Sequence, residues 1–166
     1  MQIVGGIMGL SNELQTGKAG EHLVCADLII KGHNAFLADQ GLPYDIIVDI
    51  NNQLFRVQVK TTRKLINVLK HEQIYRFNTR RAKGNRIRYD IESVDYFAFV
   101  ALDIMEIAYL PIKDMISRNN SIKQTVDFKS RYVKYTGRMY PNGTVRDPNL
   151  GKYFQDYKLF GVFNDK

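Results

Sequence analysis

Four polar residues have side chains and spacing suited to holding a metal ion beside a phosphate group: Glu21, Asp45, Gln58 and Lys60. Asp45 and Gln58 offer side-chain oxygens, which a hard divalent cation such as Mg²⁺ prefers alongside water. Glu21 adds an oxygen that can hold one of the ion's waters or help to bind a second ion. Lys60 can deprotonate an attacking water as a neutral amine, and as an ammonium it can orient that water or stabilise charge on a phosphate. Together these residues predict a metal-assisted hydrolytic site.

A β-hairpin is predicted around three of these residues. Two runs of alternating polarity, Tyr44–Ile50 and Gln53–Lys60, flank the dipeptide Asn51-Asn52. Asparagine tolerates positive φ, so a two-residue primed turn can join the runs. A turn of this length pairs the last residue of the first run with the first residue of the second. In that register the aliphatic side chains share one face of the hairpin, and a slip of one residue would expose them.

This register also brings the polar residues together on the opposite face. Asp45 lies opposite Gln58, and Lys60 lies on the diagonal from Asp45. Directly opposed Cβ atoms are about 4.5–5.5 Å apart, and diagonal ones about 7–8 Å. One hairpin is therefore expected to supply three of the four site residues.

Taken singly, each residue also has a purely structural interpretation. In that interpretation Asp45 is an exposed strand charge paired with Lys60 or Arg56, and Glu21 is a helix-face carboxylate paired with Lys18 three residues earlier. Gln58 and Lys60 fit an ordinary polar strand face. The joint spacing of the four residues favours the site.

The fourth residue, Glu21, falls in a predicted helix from Gly17 to Lys31. Thr16 is expected to be its N-cap, and Gly32 the glycine that ends it. Gly17 and Gly20 are expected to allow close packing of the helix. The apolar positions form two stripes, the first Ala19, Leu23, Ala26 and Ile30, the second Val24, Cys25 and Leu28. Glu21 lies among these residues, and a partly enclosed carboxylate requires a partner.

The other predicted elements follow the hairpin. They are a strand at Ile74–Arg80, a buried strand at Tyr96–Leu102, an antiparallel neighbour at Ile107–Ile112, a short helix at Lys113–Arg118, and a tail with aromatic runs such as Tyr153–Phe163. No repeat, low-complexity run or linker divides the chain, so a single domain is expected.

Length and composition are those of an ordinary globular domain. The chain has 166 residues, 45% of them hydrophobic and 25% charged, which argues against disordered and collagen-like classes. Its single cysteine, Cys25, excludes an internal disulfide and favours a reducing compartment. No run approaches the ~18–20 apolar residues of a membrane span, and the first ten residues lack the pattern of a secretion signal. A soluble protein of the cytoplasm is expected.

Positive charge is concentrated in one segment. Residues 56–90 hold eleven basic residues against two acidic ones, so that their net charge is +9 in a chain whose total is +7. The densest part interleaves aromatic residues with Arg76, Arg80, Arg81, Lys83, Arg86 and Arg88. A solvated basic face is the alternative, but the near absence of acidic residues favours contact with a nucleic-acid backbone.

The motifs resemble those of the PD-(D/E)XK nuclease superfamily. The resemblance rests on Gly20-Glu21 in a first helix, Pro43-Tyr44-Asp45 entering a strand, and Gln58-Val59-Lys60-Thr61-Thr62 closing the hairpin. Within the superfamily the chain is similar to Holliday-junction-resolvase-like nucleases, in which the acid before the lysine is often Gln, and to intron-encoded homing endonucleases. The sequence departs from the motif where Tyr44 separates Pro from Asp and where neutral Gln58 replaces an acid.

The resemblance implies an α/β fold with a restriction-endonuclease-like αβββαβ core, a mixed sheet flanked by helices. That core covers residues 11 to about 118 of a single nuclease domain, 1–166, with a C-terminal extension from about 119 to 166. It implies Mg²⁺-dependent hydrolysis of DNA phosphodiester bonds, with Mn²⁺ as a substitute ion. Asp45, Gln58 and Lys60 would form the core of the site with Glu21 in support, and Thr61 and Thr62 would hydrogen-bond the DNA backbone.

Three further expectations concern function. A duplex target requires action on two strands, so a homodimer or homotetramer is expected. The extension favours site-specific cleavage of duplex DNA over resolution of a four-way junction. A non-catalytic DNA-binding module on the same fold is the alternative from another class, because Gln58 removes one negative charge from the metal site.

Overall fold

A computed structural model describes residues 12–69, 72–80, 90–133 and 152–161. Its first element is helix α1, Asn12–Ile30, and a short helix α2 spans Ile112–Met115. The strands are β1 Asn34–Leu37, β2 Ile46–Ile50, β3 Gln53–Thr62, β4 Ile66–Leu69, β5 Glu72–Asn78, β6 Tyr96–Ala101, β7 Glu106–Pro111, β8 Thr125–Lys129 and β9 Lys152–Tyr153. Single 3₁₀ turns lie at Ile91–Ser93 and Phe154–Tyr157. None of the helices in these ranges has both the length and the apolar character that crossing a membrane would require.

The main sheet has five strands in the order β1-β2-β3-β6-β7. Only the central pair, β3 and β6, is parallel, so the sheet is mixed. The predicted hairpin register is confirmed, with Ile46 paired to Val57 and Ile50 to Gln53. Asn51 and Asn52 have φ angles of 53° and 66°, and positive φ at both central residues is the signature of a type I′ turn.

Helix α1 starts earlier than predicted and covers one face of this sheet. The N-cap assigned to Thr16 is wrong, because Thr16 lies within the helix and its hydroxyl donates to the Asn12 carbonyl four residues before. The predicted stop is confirmed, since Gly32 has a φ of +88°. The His33 N–H there bonds back to the Leu28 carbonyl, which satisfies a helix-end acceptor.

The second apolar stripe of α1 is the one that packs. Val24 and Leu28 are fully buried against a cluster that includes Val57 and Val59 of β3. Most of the first stripe turns outward, and Ile30 at its end is 84% exposed, although Leu23 is partly buried against the same cluster. Periodicity alone did not distinguish the two stripes, because both repeat every three to four residues.

The other face of the main sheet is covered by a second sheet, in the order β4-β5-β8-β9. Aromatic side chains from both sheets form a second core, with Phe99 from β6, Phe77 from β5 and Phe128 from β8. β6 is therefore buried on both sides along its whole length, as predicted. Residues of the predicted C-terminal extension, Phe128 and Phe154 among them, are part of this core.

The connection from β3 to β6 differs from the αβββαβ pattern in its described part. Where the pattern places a second helix, the chain forms the β4–β5 hairpin and the 3₁₀ turn at Ile91–Ser93. Residues 81–89 of this connection lie outside the described ranges. The parallel pairing of β3 with β6 is retained, because this long connection returns the chain to the same end of the sheet.

Candidate active site

Asp45 is held at the start of β2, one residue before the regular pairing with β3 begins. Its N–H donates to the Val57 carbonyl at 2.9 Å, and its carbonyl accepts the Ala38 N–H at 2.8 Å. Its carboxylate accepts the Val59 N–H at 2.8 Å and a hydrogen bond from the Gln58 amide nitrogen. Main-chain bonds on both sides thus fix the direction of this carboxylate.

The surroundings of Asp45 disfavour its ionised form. Burial raises the pKa of Asp45 to about 6 from an ordinary value near 3.8, and the nearby Glu21 carboxylate acts in the same direction. The Val59 N–H and the ammonium groups of Lys60 and Lys18 lower this pKa without cancelling the effect of burial. Because its ionised form is disfavoured, this carboxylate is stabilised when a cation comes next to it.

Gln58 is 6% exposed and directs its amide towards the same point. Its amide nitrogen donates both to the Asp45 carboxylate and to the Val59 carbonyl, the latter at 3.1 Å. This nitrogen therefore lies between two oxygens of the kind that bind hard cations. Rotation of the amide by half a turn would present its oxygen there instead, since the two ends of an amide are nearly the same size.

The oxygen donors at this point fit a divalent cation. Within the described ranges, no group of three or more His, Cys, Asp or Glu side chains is placed to hold a metal. A cation here would draw on the Asp45 carboxylate, the Gln58 amide oxygen and the Val59 carbonyl, with Glu21 close enough to raise the pKa of Asp45. Such a set has few anionic ligands and leaves room for water, as Mg²⁺ prefers.

Lys60 lies two residues beyond Gln58, so both occupy the same face of β3. Its ammonium donates to the Arg80 carbonyl at 3.1 Å, which ties the site to the chain just after β5. Of the alternative pairings considered for Asp45, Arg56 is excluded, because its guanidinium is bound to Asp95 at 2.9 and 3.1 Å. The pairing of Glu21 with Lys18 is present at 3.1 Å.

A cavity of about 500 Å³ opens beside these residues. One wall is the first half of α1, including Thr16, Gly17 and Glu21, and the other is the end of β3 from Val59 through Arg63. Lys60 projects into it from the strand side. The cavity therefore leads from the protein surface to the site residues.

The sequence model of the PD-(D/E)XK endonuclease family matches residues 11–138 of this chain. The chain belongs to the PD-(D/E)XK endonuclease family. Members of this family typically use divalent metals. The motif falls on the residues just described, with Asp45 as its first acid, Gln58 in the place of the second and Lys60 as its lysine. This PD-(D/E)XK chain is therefore a nuclease, and two of its four predicted site residues, Glu21 and Lys60, line the cavity.

Comparison with one solved structure supports the restriction-endonuclease-like fold. The bacterial homing endonuclease I-Ssp6803I superposes with a TM-score of 0.53 at 18% identity, over 77% of this chain and 83% of the other. MepB superposes with a TM-score of 0.37 at 9% identity, over 67% of this chain and 81% of the other. No curated protein matches the sequence. The fold is a restriction-endonuclease-like mixed α/β fold.

The residues predicted to contact DNA in this PD-(D/E)XK endonuclease have different placements. Thr62 lines the cavity. Thr61 also lines the cavity, but its hydroxyl oxygen is buried against Gly20 of α1 and has no hydrogen-bond partner among the described residues. Four of the residues predicted to contact DNA lie outside the described residues: Arg81, Lys83, Arg86 and Arg88.

Two of the arginines predicted to contact DNA, Arg76 and Arg80, lie in the described ranges. Arg76 is bound bidentately by Asp127 of β8, with both distances 2.8 Å, so its guanidinium is paired within the protein. No local sequence pattern indicates this pair, since 51 residues separate its members. Arg80 hydrogen-bonds Gln124 through its side chain and Lys60 through its carbonyl. Arg80 thus joins the second sheet to the site.

Sequence reasoning missed two contributors to the site. The Val59 main chain supplies both an N–H to Asp45 and a carbonyl to Gln58. Arg63 lines the cavity one residue beyond the end of β3. Arg63 directly follows Thr61 and Thr62 of the motif, and this position in the sequence was the signal that could have identified it.

Proposed function

We propose that this protein is a metal-dependent endonuclease that hydrolyses phosphodiester bonds at specific sites in duplex DNA. The observation that carries the proposal is the partly buried Asp45 carboxylate, whose pKa is raised to about 6 and which contacts Gln58 beside Lys60. A structural carboxylate in this position would be expected to have a full cationic partner. A carboxylate that gathers neutral donors next to a lysine is better suited to a bound cation and a phosphate.

Each residue then has a role that follows from its placement. Asp45 is the principal ligand for Mg²⁺, or for Mn²⁺ as a substitute, with Gln58 and Glu21 as further oxygen donors. When bound, such an ion supplies Lewis acidity and offsets the charge of the attacked phosphate. Lys60 holds a proton on its ammonium beside the site, where it can orient an attacking water or stabilise charge that develops on the phosphate.

Charge supports DNA as the substrate. Residues 56–90 carry a net charge of +9, and residues 1–55 a net charge of −4 with two basic residues against six acidic ones. A polyanion is drawn to the first segment and repelled by the second. We propose that Arg80, Arg81, Lys83, Arg86 and Arg88 contact DNA phosphates next to Lys60.

Site specificity and assembly are further parts of the proposal. The chain shares its fold with a homing endonuclease, and residues of the segment after 119 form β8 and β9 beside β5, adding surface that hydrolysis alone does not require. One catalytic set attacks one strand, so cleavage of both strands calls for a homodimer or homotetramer. We also propose action in the cytoplasm, where a lone Cys25 stays reduced.

The test is incubation with plasmid DNA in Mg²⁺ or in EDTA, with Asp45→Asn as the matched inactive variant. Nicking or linearisation that requires Mg²⁺ and is lost in Asp45→Asn supports the proposal. A four-way junction and a long duplex of random sequence, digested in parallel, separate a junction resolvase from a site-specific enzyme. Normal cleavage by Asp45→Asn would overturn the assignment of the site.

The neutral Gln58 favours one second candidate, a non-catalytic DNA-binding module. An amide is a weaker ligand for a hard cation than the carboxylate that the family motif places there. In that case the same incubation would give a gel shift of the DNA without cleavage at any Mg²⁺ or Mn²⁺ concentration.

A further inference from the structure

Two glycines of helix α1 face the candidate site, and packing explains only one of them. A Cβ atom on Gly20 would lie 1.9 Å from the Thr61 hydroxyl oxygen, so the close approach of α1 to β3 requires glycine there. Apart from the backbone of α1 itself, a Cβ atom on Gly17 would meet no atom of the described residues within 4 Å. Glycine weakens a helix interior relative to alanine, so the fold gains nothing from Gly17.

Gly17 lies on the wall of the 500 Å³ cavity that also contains Lys60 and Glu21. Without a side chain, this part of the wall leaves the helix backbone open to whatever enters the cavity. A glycine at a point where a ligand's backbone comes close is a recognised use of this residue. The open space over Gly17 is therefore better explained by a ligand than by the protein itself.

The opposite wall carries a guanidinium group in a fixed position. Arg63 donates through Nε to the Thr16 hydroxyl oxygen at 2.5 Å and through Nη2 to the Asn12 carbonyl at 3.4 Å. Thr16 gives its own hydroxyl proton to the Asn12 carbonyl, which leaves its oxygen free to accept from Arg63. Arg63 takes no part in the ion pairs found among the described residues.

We propose that Gly17 and Arg63 form a subsite for a backbone phosphate next to the one that is cleaved, a proposal that rests on the proposed function. Thr16 holds the guanidinium by one edge, and its remaining N–H donors match the fork geometry of a phosphate. Gly17 lets the sugar-phosphate backbone lie close to α1. The carboxylate of Glu13 also lines the cavity, but its side chain is exposed and free to turn to solvent.

The first test is steric. Gly17→Ala and Gly17→Leu fill the space over the helix, and Ala19→Leu adds the same bulk at an exposed position of α1 that is not on the cavity wall. We expect the two Gly17 variants to melt at the same temperature as wild type or higher. We expect kcat/KM for DNA cleavage to fall, by about tenfold or more in Gly17→Leu, the equivalent of ~1.4 kcal/mol. Ala19→Leu should leave cleavage unchanged, and wild-type cleavage by Gly17→Leu would overturn the subsite.

The second test is electrostatic and is made in EDTA, where DNA is bound but not cut. Arg63→Gln should lower DNA affinity and reduce the slope of log affinity against log salt by about 0.9, the value for one phosphate contact. Arg63→Lys should keep the slope, because it keeps the charge. The control is Arg131→Gln, an exposed arginine paired with Asp156, which should leave the slope unchanged. An unchanged slope in Arg63→Gln would assign Arg63 a structural role only.

The two tests separate this proposal from the one on which it rests. If wild-type protein cuts DNA but the Arg63→Gln slope is unchanged, the subsite fails and the endonuclease assignment stands. If wild-type protein neither binds nor cuts DNA, both proposals fail together.

Discussion

At the scale of single residues, the Asp45 carboxylate opposes the stability of the fold that holds it. Burial and the neighbouring Glu21 raise its pKa to about 6, although the Val59 N–H partly compensates. A residue retained for folding alone would not need a charge here, because an amide could accept the same hydrogen bonds. This conflict between charge and stability is typical of functional sites.

Asp45→Asn should therefore stabilise the metal-free protein at neutral pH. A folded-state pKa above the unfolded value means that the ionised form destabilises the fold above about pH 6, and that the penalty shrinks as the pH falls towards about 4. Thermal or urea unfolding in EDTA should show the variant more stable by roughly 2–3 kcal/mol near pH 8 and equal to wild type near pH 4. A variant that is less stable than wild type near pH 8 would contradict this account of Asp45.

Gln58→Glu should reduce the Mg²⁺ concentration needed for cleavage, by about tenfold, because it adds an anionic oxygen to the ligand set. Cleavage rates would be measured against Mg²⁺ concentration for the variant and for Gln53→Glu. The control makes the same charge change at an exposed residue at the far end of β3. An equal shift in both variants would show that net charge, and not ligation, is responsible.

At the scale of elements, the position of Glu21 depends on how closely helix α1 approaches strand β3. Gly20 makes this approach possible, because any larger residue would meet the Thr61 side chain. The Schellman-type bonds after Leu28 and the burial of Val24 fix the other end of the helix. The helix is thus seated by packing, and Glu21 is placed as a consequence.

Gly20→Ala should destabilise the protein by about 1–3 kcal/mol, the range for an overpacked contact. Chemical denaturation would compare it with Gly17→Ala, which adds the same methyl group three residues earlier, where no atom lies within 4 Å. Adding Thr61→Ala to Gly20→Ala should restore part of the loss, since it removes the hydroxyl oxygen nearest the new methyl group. Equal stabilities of the two single variants would show that α1 does not pack as closely as described.

At the scale of the whole molecule, charge is divided between the two sides of the motif. The acidic residues of the first 55 positions include Glu21 and Asp45, whereas the basic excess begins at Arg56 and runs to residue 90. Lys60 connects the two regions, because its ammonium lies near Asp45 and bonds to the Arg80 carbonyl. A polyanion attracted to the basic segment is therefore brought next to Asp45 and Glu21, the proposed metal ligands.

Replacing Arg81, Arg86 and Arg88 together with Gln should weaken DNA binding on every sequence. The salt slope should fall by up to about 2.7 if each arginine contacts one phosphate. The matched control replaces Lys113, Arg118 and Lys123, which are exposed and make the same change in net charge. If the two triple variants lose the same affinity and keep the same slope, the basic segment is not the DNA interface.

Local pattern alone was sufficient to predict the β2–β3 hairpin. Alternation and turn chemistry within a few residues predict the register of β2 and β3 and the positive φ of Asn51 and Asn52. The buried strand β6 follows in the same way from its own run of apolar residues. Asp45 and Gln58 are in contact for the same reason, since a two-residue turn leaves one register that buries the aliphatic face. Strand β1 was missed because its four residues carry only one buried side chain.

What remained depended on contacts between residues far apart in the chain. Surfaces that meet only in the folded state decide which stripe of α1 is buried and why residue 20 must be glycine. They also decide the ion pairs of Arg56 with Asp95 and of Arg76 with Asp127. Periodicity shows that a face exists but not which partner covers it, and an ion pair across 39 or 51 residues leaves no local pattern. The sequence therefore determined the motif and its hairpin, and the tertiary structure decided which charges stay available to a ligand.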